Sequence, residues 1–565
     1  MALNKKVTLS LQKQQMSMRL SILLFLMGLL SYLPLCAQPK NEIRATWLTT
    51  LGGLDFPSSK ASSTAGIQRQ KQELCKILDE LKQAHINTVL FQTRLRGDVI
   101  YPSAIETFAE SLTGHEGRNP GYDLLEFATA ECHKRGMELH AWIVTIPVGN
   151  NRQVKLLGKN SVVKKYPQLC KQYKGSWYLD PGQPGTADYL ARLVREIVSR
   201  YDIDGIHLDY IRYPERAQQF PDNATFRKYG KGQNLEQWRR DNITRIVRRI
   251  YTEVKTLKPW VKVSSSPVGK YADTQRYSSH GWNAYETVYQ DAQAWLKEGI
   301  HDALFPMMYF PNNHFYPFAL DWKENKSNRW VVPGLGIYFL HPKEKNWDAA
   351  EIIRQIHFIR KSGLDGEAYF RNRFLLENTK GILSTLKNRF YQTPSFVPPM
   401  TWADSIAPSV PDTPVLHETK EGIRLSWSPS TDNSTLPVHY RVYASNFYPV
   451  DITQAEHIVE TRIDTTCYTT SSSQLYWAVT AVDRYGNESQ PLYFKTISEE
   501  SLPIWNHLPD LPAGGILIIY DVTGTELFRT SDIHSQQIQN LAPGFYRIKI
   551  LTDNGQSIAT GSIVR

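Results

Sequence analysis

The sequence predicts an α/β chain, a (β/α)8 TIM barrel followed by two small all-β sandwich domains, and three observations carry that expectation. From 42 to 391 short β-rich runs alternate with amphipathic helical stretches eight times, the pattern of eight βα units with long loops. A proline-rich stretch at 392–410, with Pro394, Pro398, Pro399 and Pro408, then breaks the alternation as a linker does. Beyond it, 411–498 and 505–565 hold short alternating segments separated by turn residues, the pattern of small β-sandwiches. An open doubly wound sheet is the competing arrangement for 42–391, and the lack of a Gly-x-Gly-x-x-Gly turn after the first run counts against it.

Residues 1–37 read as a signal peptide. Arg19 supplies the positive flank, Leu20 to Leu30 is the apolar stretch, and Ala37-Gln38 follows a small residue as a cleavage point. The stretch is too short to span a hydrocarbon core of about 30 Å comfortably. A start at Met16 or Met18 gives a conventional short basic leader, and Cys36 as a lipidated residue is disfavoured by the bulky Leu35 before it. The chain is therefore expected to be exported, to the cell surface, the outer membrane or the medium, with the periplasm as the alternative.

The eight β-rich runs are Ile43 to Thr50, Ile86 to Thr93, Met137 to Thr145, Ile203 to Tyr210, Val261 to Ser266, Ala303 to Tyr309, Trp330 to Tyr338 and Gly366 to Phe370. Between them lie the helical patterns Gln68 to Ala84, Tyr122 to Arg135, Thr186 to Tyr201, Glu236 to Leu257, Tyr285 to Glu298 and Trp347 to Lys361, closing with Leu375 to Asn388. In the first sandwich Gly422 to Trp427, Tyr440 to Ala444 and Leu475 to Val482 read as strands, and in the last segment Ile516 to Tyr520, Leu527 to Thr530 and Phe545 to Leu551 do.

Composition supports several folded domains. The 565 residues are 41% hydrophobic and 12% aromatic, too rich for a disordered chain. The net charge of +10 is spread without any block of five basic residues, which gives no basis for nucleic acid as a partner. Past the leader, Cys75, Cys132, Cys170 and Cys467 show no Cys-x-x-Cys pair and no zinc spacing. One disulfide, Cys132 with Cys170, is open to an exported chain, while Cys75 and Cys132 sit on predicted helices as buried thiols. No metal and no cofactor are expected.

Reacting residues in such barrels sit at the C-terminal ends of strands. The fourth run reads Asp204-Gly205-Ile206-His207-Leu208-Asp209-Tyr210-Ile211-Arg212-Tyr213-Pro214, and its two-residue period sends His207 and Asp209 to one face and Ile206 and Leu208 to the other. Asp209 is thus expected in the barrel mouth, where a carboxylate can act as nucleophile, base or electrostatic stabiliser of an oxocarbenium-like transition state. The plain alternative is a structural Asp paired with Arg212.

Ordered motifs run through the barrel: Glu42-Ile43-Arg44-Ala45-Thr46-Trp47, Gln92-Thr93-Arg94, Pro120-Gly121-Tyr122-Asp123, His140-Ala141-Trp142, Trp177-Tyr178-Leu179-Asp180-Pro181-Gly182, Gln290-Asp291 and Pro306-Met307-Met308-Tyr309. With the fourth run they resemble the glycosyl-hydrolase-like family 10 proteins. That resemblance implies a TIM-barrel hydrolase acting on a bacterial glycan, with peptidoglycan strands the leading substrate class. Family 18 chitinase-like barrels are a looser likeness, because His207 replaces an Asp and Ile211 stands where their acid Glu lies. Trp427, Tyr440 to Tyr443, Tyr476 to Val479 and Gly486 to Ser489 resemble a fibronectin type III module. Leu517 to Gly524 and Leu541 to Ile548 resemble the C-terminal sorting domain of type IX secretion substrates, which implies an outer-membrane secretion machinery as a partner.

A glycosidase needs a second carboxyl group to work with Asp209. Asp180 in its Trp-Tyr-Leu-Asp-Pro-Gly loop and Glu367 in the last run are the catalytic candidates, and Asp98 and Asp291 are the others. Each has a bland reading: a turn residue for Asp180, a salt bridge for Glu367, a pair with Arg94 or Arg96 for Asp98, a helix cap for Asp291. Sugar rings need aromatic platforms beside hydrogen-bonding groups, so Tyr101, Trp142, Tyr210, Tyr309 and Tyr369, with Arg94, His140 and His207, are the candidate binding residues. Serine catalysis lacks a Gly-x-Ser-x-Gly elbow at Ser264-Ser265-Ser266. The expected function is an exported glycoside hydrolase, and the alternative is a carbohydrate-binding or surface scaffold that kept the barrel and lost the acid.

Overall fold

The computed structural model describes residues 38–564 except 278–280, 421, 473, 495–503, 506, 522–524 and 554–556. The leader reading at 1–37, the end of the 411–498 segment and part of the sorting-like motif lie outside the described residues.

Eight parallel strands pair in sequence: β1 (Ile43–Leu48), β2 (Thr88–Arg94), β3 (Glu138–Val144), β4 (Gly205–Asp209), β5 (Lys262–Ser265), β6 (Ala303–Leu304), β7 (Trp330–Val331 and Gly334–Leu335) and β8 (Gly366–Tyr369). Pro333, with no N–H to donate, divides β7. Its first part pairs with β6 and its second with β8, while β8 pairs with β1, so the ring closes through one segment. The joining bonds are Val332 N to Leu304 O at 2.9 Å and Ala368 N to Pro333 O at 3.0 Å. The fold is a (β/α)8 barrel.

Strand alternation decides what fills it. Ile43, Ala45 and Trp47 of β1 point inward with Leu90, Trp142, Val144, Phe305, Val332 and Ala368, forming the barrel's own core. Leu48, Phe91, Leu139, Ile143, Ile206 and Leu208 point outward to the helical layer. The main helices after strands β1 to β7 are, in order, α1 (Thr64–Gln83), α2 (Leu124–His133), α3 (Pro184–Arg200), α4 (Leu235–Leu257), α5 (Ala292–Lys297), α6 (Tyr316–Glu324) and α7 (Ala349–Ser362). Ser63, Asp123, Asn234 and Asp348 open four of them by accepting backbone N–H groups that the first turn leaves unpaired. Gly205 is required at the start of β4, because a Cβ there would lie 2.6 Å from the His140 ring.

Two helical expectations are corrected. The pattern at Tyr285 to Glu298 gives only α5, since the Gln290 side chain bonds Val268 N and Ile211 O instead and Tyr289 takes a φ of 61°. The stretch Leu375 to Asn388 breaks into Asn372–Leu376, Ile382–Thr385 and the wider turn Leu386–Phe390, because Asn378, Lys380 and Gly381 have φ of 51°, 51° and 75°. Cys132 and Cys170 are free thiols, as are Cys75 and Cys467, so the Cys132 to Cys170 disulfide is absent.

After the barrel, a three-stranded antiparallel sheet (Asp412–Thr419, Gly422–Ser428, Cys467–Thr470) faces a four-stranded one (Ile458–Ile463, His439–Ser445, Tyr476–Val482, Leu492–Phe494) across Leu425, Trp427, Tyr440, Val442 and Trp477. Ile504–Trp505, Ile516–Tyr520, Glu526–Thr530, Phe545–Leu551 and Ser557–Val564 form a five-stranded sheet around Leu517, Ile519, Ile548 and Ile550. Met400, Trp402 and Tyr485 join the barrel's inner core near the strand starts, with Trp402 Nε1 donating to Asp302 at 3.0 Å. The sandwich side therefore stops the N-terminal end, and the opposite end stays open.

Candidate active site

The open end holds a cavity of about 810 Å³. Its floor comes from strand ends, with Gln92 of β2, Trp142 of β3, Asp209 of β4, and Met307, Tyr309 and Phe370 just beyond β6 and β8. One wall is a three-stranded excursion after β3 (Pro147–Asn150, Cys170–Tyr173, Ser176–Leu179), which contributes Tyr173, Trp177 and Tyr178. The other is the segment 210–216 that leaves β4. Gln92 is fixed because its Oε1 accepts Thr50 N at 2.9 Å and Leu51 N at 2.8 Å. Tyr309 stacks on Phe370 with ring centres 5.4 Å apart.

Asp209 is the carboxyl at the centre. Only 6% of it is exposed, and its oxygens accept from Trp142 Nε1 at 3.1 Å, Ser266 Oγ at 2.9 Å and Tyr210 N at 2.8 Å. Burial raises its pKa from the ordinary aspartate value, against the opposing pull of Ser266, the Tyr210 N–H, Arg212 and Trp142. Tyr210 itself adopts the left-handed region at φ 51°, which a bulky residue rarely does outside functional or strained sites. That turn puts its N–H on Asp209 and leaves the residue 42% exposed, lining the cavity.

His207 points inward beneath Asp209 but does not line the cavity. It accepts from Trp47 Nε1 on Nε2 at 3.1 Å and meets Ser264 Oγ through Nδ1 at 3.0 Å, so the ring proton belongs on Nδ1. Burial, with His140 and His301 adding to it, holds its pKa well below the usual value and keeps it neutral. His140 sits on β3 beside the start of β4, its Nε2 bonded to Glu138 at 3.0 Å.

Of the expected site residues, Asp209, Trp142, Tyr210 and Tyr309 meet in the cavity, and the rest do not. Asp180 is fully buried under a turn, accepting Thr225 Oγ1 at 2.6 Å and Gly182 N at 2.9 Å, and burial raises its pKa there. Glu367 and Tyr369 have the outward parity of β8, opposite to Ala368, and lie behind the sheet with Tyr391. Burial and the neighbouring Glu42 push Glu367 up to about 8. Arg94 forms a buried pair with Glu106 at 2.8 and 2.7 Å, and Tyr101 donates to Glu196 at 3.1 Å. Asp291 accepts Tyr271 OH at 2.7 Å beside α5. Asp98 accepts Arg96 N at 2.8 Å and lines a separate cavity of about 360 Å³ that shares Leu51, Leu95 and Arg96 with the main one.

The second carboxylate that does line the cavity is Glu215, on the same segment as Asp209. The sequence placed it there in plain view, six residues after Asp209 in Arg212-Tyr213-Pro214-Glu215, but a loop residue carries no strand parity to mark it. Five cations, Arg96, Lys174, Arg212, Arg216 and Arg371, line the cavity against those two carboxylates. Arg371 is committed to Asp55. The arrangement can protonate a leaving oxygen, seat sugar rings on aromatic faces and attract negative charge.

The Glycosyl hydrolase-like 10 family matches residues 42–342, more than half of this chain and nearly all of the barrel. The chain is 32% identical to Glycosyl hydrolase YngK of Bacillus subtilis (strain 168) over 479 residues, 80% of this chain and 93% of that one. It is 33% identical to Glycosyl hydrolase DigH of Escherichia coli (strain K12) over 293 residues, 48% of this chain and 67% of that one. Among solved structures it is similar to the glycoside hydrolase domain of PgaB (BpsB) from Bordetella bronchiseptica, with TM-score 0.42 and 13% identity over 62% of this chain and 99% of that chain. By the extent of the family match and of the first relative's alignment, this chain belongs to the glycosyl hydrolase-like 10 family.

Proposed function

We propose that the chain is an exported glycoside hydrolase that cuts O-glycosyl bonds in a bacterial glycan, with peptidoglycan strands as its substrate. Family membership supports a glycan-cleaving hydrolase. The observation that carries the chemistry is Asp209, a buried carboxyl of raised pKa held by three donors in an aromatic-lined cavity at the C-terminal ends of the strands. A carboxyl whose pKa is raised by burial suits the general acid that protonates the leaving glycosidic oxygen. Glu215, more exposed, is the carboxylate that assists attack on the sugar carbon from the other side.

The cations favour a glycan that bears carboxylates. Muramic acid residues carry a lactyl carboxylate once their peptides are removed, which fits peptide-free peptidoglycan strands better than a neutral polymer such as chitin. Export follows from the leader-like residues 1–37, and passage through an outer-membrane secretion machinery from the sorting-like C-terminal segments. The fibronectin-like module is proposed to space or dock the barrel.

The test is product analysis of the mature chain on peptide-free and peptide-bearing peptidoglycan strands and on chitin, beside Asp209→Asn. Soluble fragments from the wild type that vanish in the variant, with binding retained, establish the activity. Tight binding by both proteins with no product on any glycan sinks it and favours a binding scaffold. That second reading draws on one observation: none of the four other carboxyls expected from the sequence lines the cavity.

A further inference from the structure

The main cavity does not end at the 210–216 segment. Glu215 and Arg216 also line a second hollow of about 330 Å³ on the far side, with Gln218, Thr287 and Trp282. Trp282 leaves 44% of its surface to solvent at that hollow and so offers an accessible indole face there. Between the two compartments lies Arg212. Its guanidinium sits 4.7 Å from the Tyr210 ring centre and 5.2 Å from that of Trp282, so one cation ties the two rings together. Arg212 is itself 96% buried, and its Nε has no hydrogen-bond partner among the described residues. Among the described residues its guanidinium makes one hydrogen bond, from Nη1 to Tyr213 O at 3.3 Å.

We propose that Trp282 is the platform of a distal sugar subsite, reached by a chain that passes Asp209, crosses Tyr210 and Arg212, and lays the apolar face of a further ring on the indole. The proposal rests on the glycan-cleaving reading and adds to it that the substrate is a polymer bound beyond the reacting bond. Tyr210 and Trp282 offer exposed rings on either side of a buried cation, the alternation of apolar face and hydrogen-bond donor that successive sugars require. Short fragments that fill only the cavity around Asp209 gain nothing from Trp282. Long chains do.

The experiment compares wild type, Trp282→Ala and Trp282→Phe on peptide-free peptidoglycan strands and on the disaccharide and tetrasaccharide fragments made from them. The ratio of kcat/KM on strands to kcat/KM on fragments falls about tenfold in the Ala variant, as the loss of one stacked ring predicts, and stays within about threefold of wild type in the Phe variant. A second arm measures strand Kd with each Trp282 substitution placed in the Asp209→Asn protein, so it reads the subsite even when no bond is cut. There the Ala variant weakens binding about tenfold. A ratio and a Kd that both stay within about twofold of their parents overturn the subsite, whereas an inactive wild type with a weakened Kd overturns the hydrolase reading and leaves the subsite standing. Because Trp282 is half exposed, the melting temperature of the variants serves as the folding control.

Discussion

Trp142 and Asp209 stand on neighbouring strands, and the indole Nε1 of one donates to Oδ2 of the other at 3.1 Å. Ser266 Oγ and Tyr210 N hold Oδ1. Three donors occupy three of the roughly four acceptor positions that a carboxylate offers, so one position is left for the cavity. The carboxyl is thereby aimed as well as buried.

If Asp209 delivers a proton to the leaving oxygen, its removal costs most where that oxygen is a poor leaving group. Asp209→Asn should lower kcat on glycan strands about a thousandfold. On an aryl glycoside whose phenolate leaves unassisted, the same variant should keep most of its activity. Equal losses on both substrates would falsify the acid role and make Asp209 the nucleophile or base.

The indole bond favours the charged form of Asp209, so deleting it raises that pKa further. An acid works only while protonated, so activity is lost as pH rises through its pKa. Trp142→Phe should therefore move the alkaline limb of the kcat profile to higher pH while lowering its maximum about tenfold through looser aim. A limb that stays put, or moves down, contradicts the assignment.

If Glu215 assists attack on the other side of the sugar, it should matter whatever the leaving group. Glu215→Ala is expected to lower kcat about a hundredfold on strands and aryl glycosides alike. Partial recovery with azide or formate, which replace a missing carboxylate, is the check. A variant as active as wild type moves the second carboxylate role elsewhere.

Asp180 and Glu367 should separate from catalysis in opposite directions of stability. Asp180→Asn leaves kcat/KM unchanged and costs about 1–3 kcal/mol in urea unfolding, since its Thr225 and Gly182 bonds are buried. Glu367 holds its proton up to about 8 when folded and only to about 4.3 when unfolded. The folded state thus binds the extra proton, and stability drains away as pH rises through the window between those values. Glu367→Gln removes that loss, so its melting temperature should exceed wild type by more at pH 8 than at pH 5, with activity intact. A Gln variant that is inactive but folded returns Glu367 to the site.

The cationic lining predicts a salt effect of one kind only. Raising ionic strength should increase KM on carboxylate-bearing strands and leave KM on neutral chitin oligosaccharides unchanged. Arg96→Gln should reproduce the same selectivity at low salt, with a KM increase of about threefold to tenfold on the strands. Parallel changes on both glycans argue for a purely steric role of Arg96.

The sequence by itself determined the barrel, its eight strands within a few residues, and the inward parity of His207 and Asp209, because a two-residue period and a strand end are local properties. It also marked Trp142 and Tyr309, which belong to strand ends. What it left open were carboxyls whose roles depend on distance through space. Glu367 sits on a strand like Asp209, but its parity sends it behind the sheet beside Tyr391, and Asp180 folds under its own turn onto Thr225. Glu215 and Trp282, on irregular segments after β4 and β5, come beside the cavity only because those loops return over the barrel mouth. Parity is written in the chain one residue at a time, whereas the neighbours of a loop residue exist only once the ring of strands has closed.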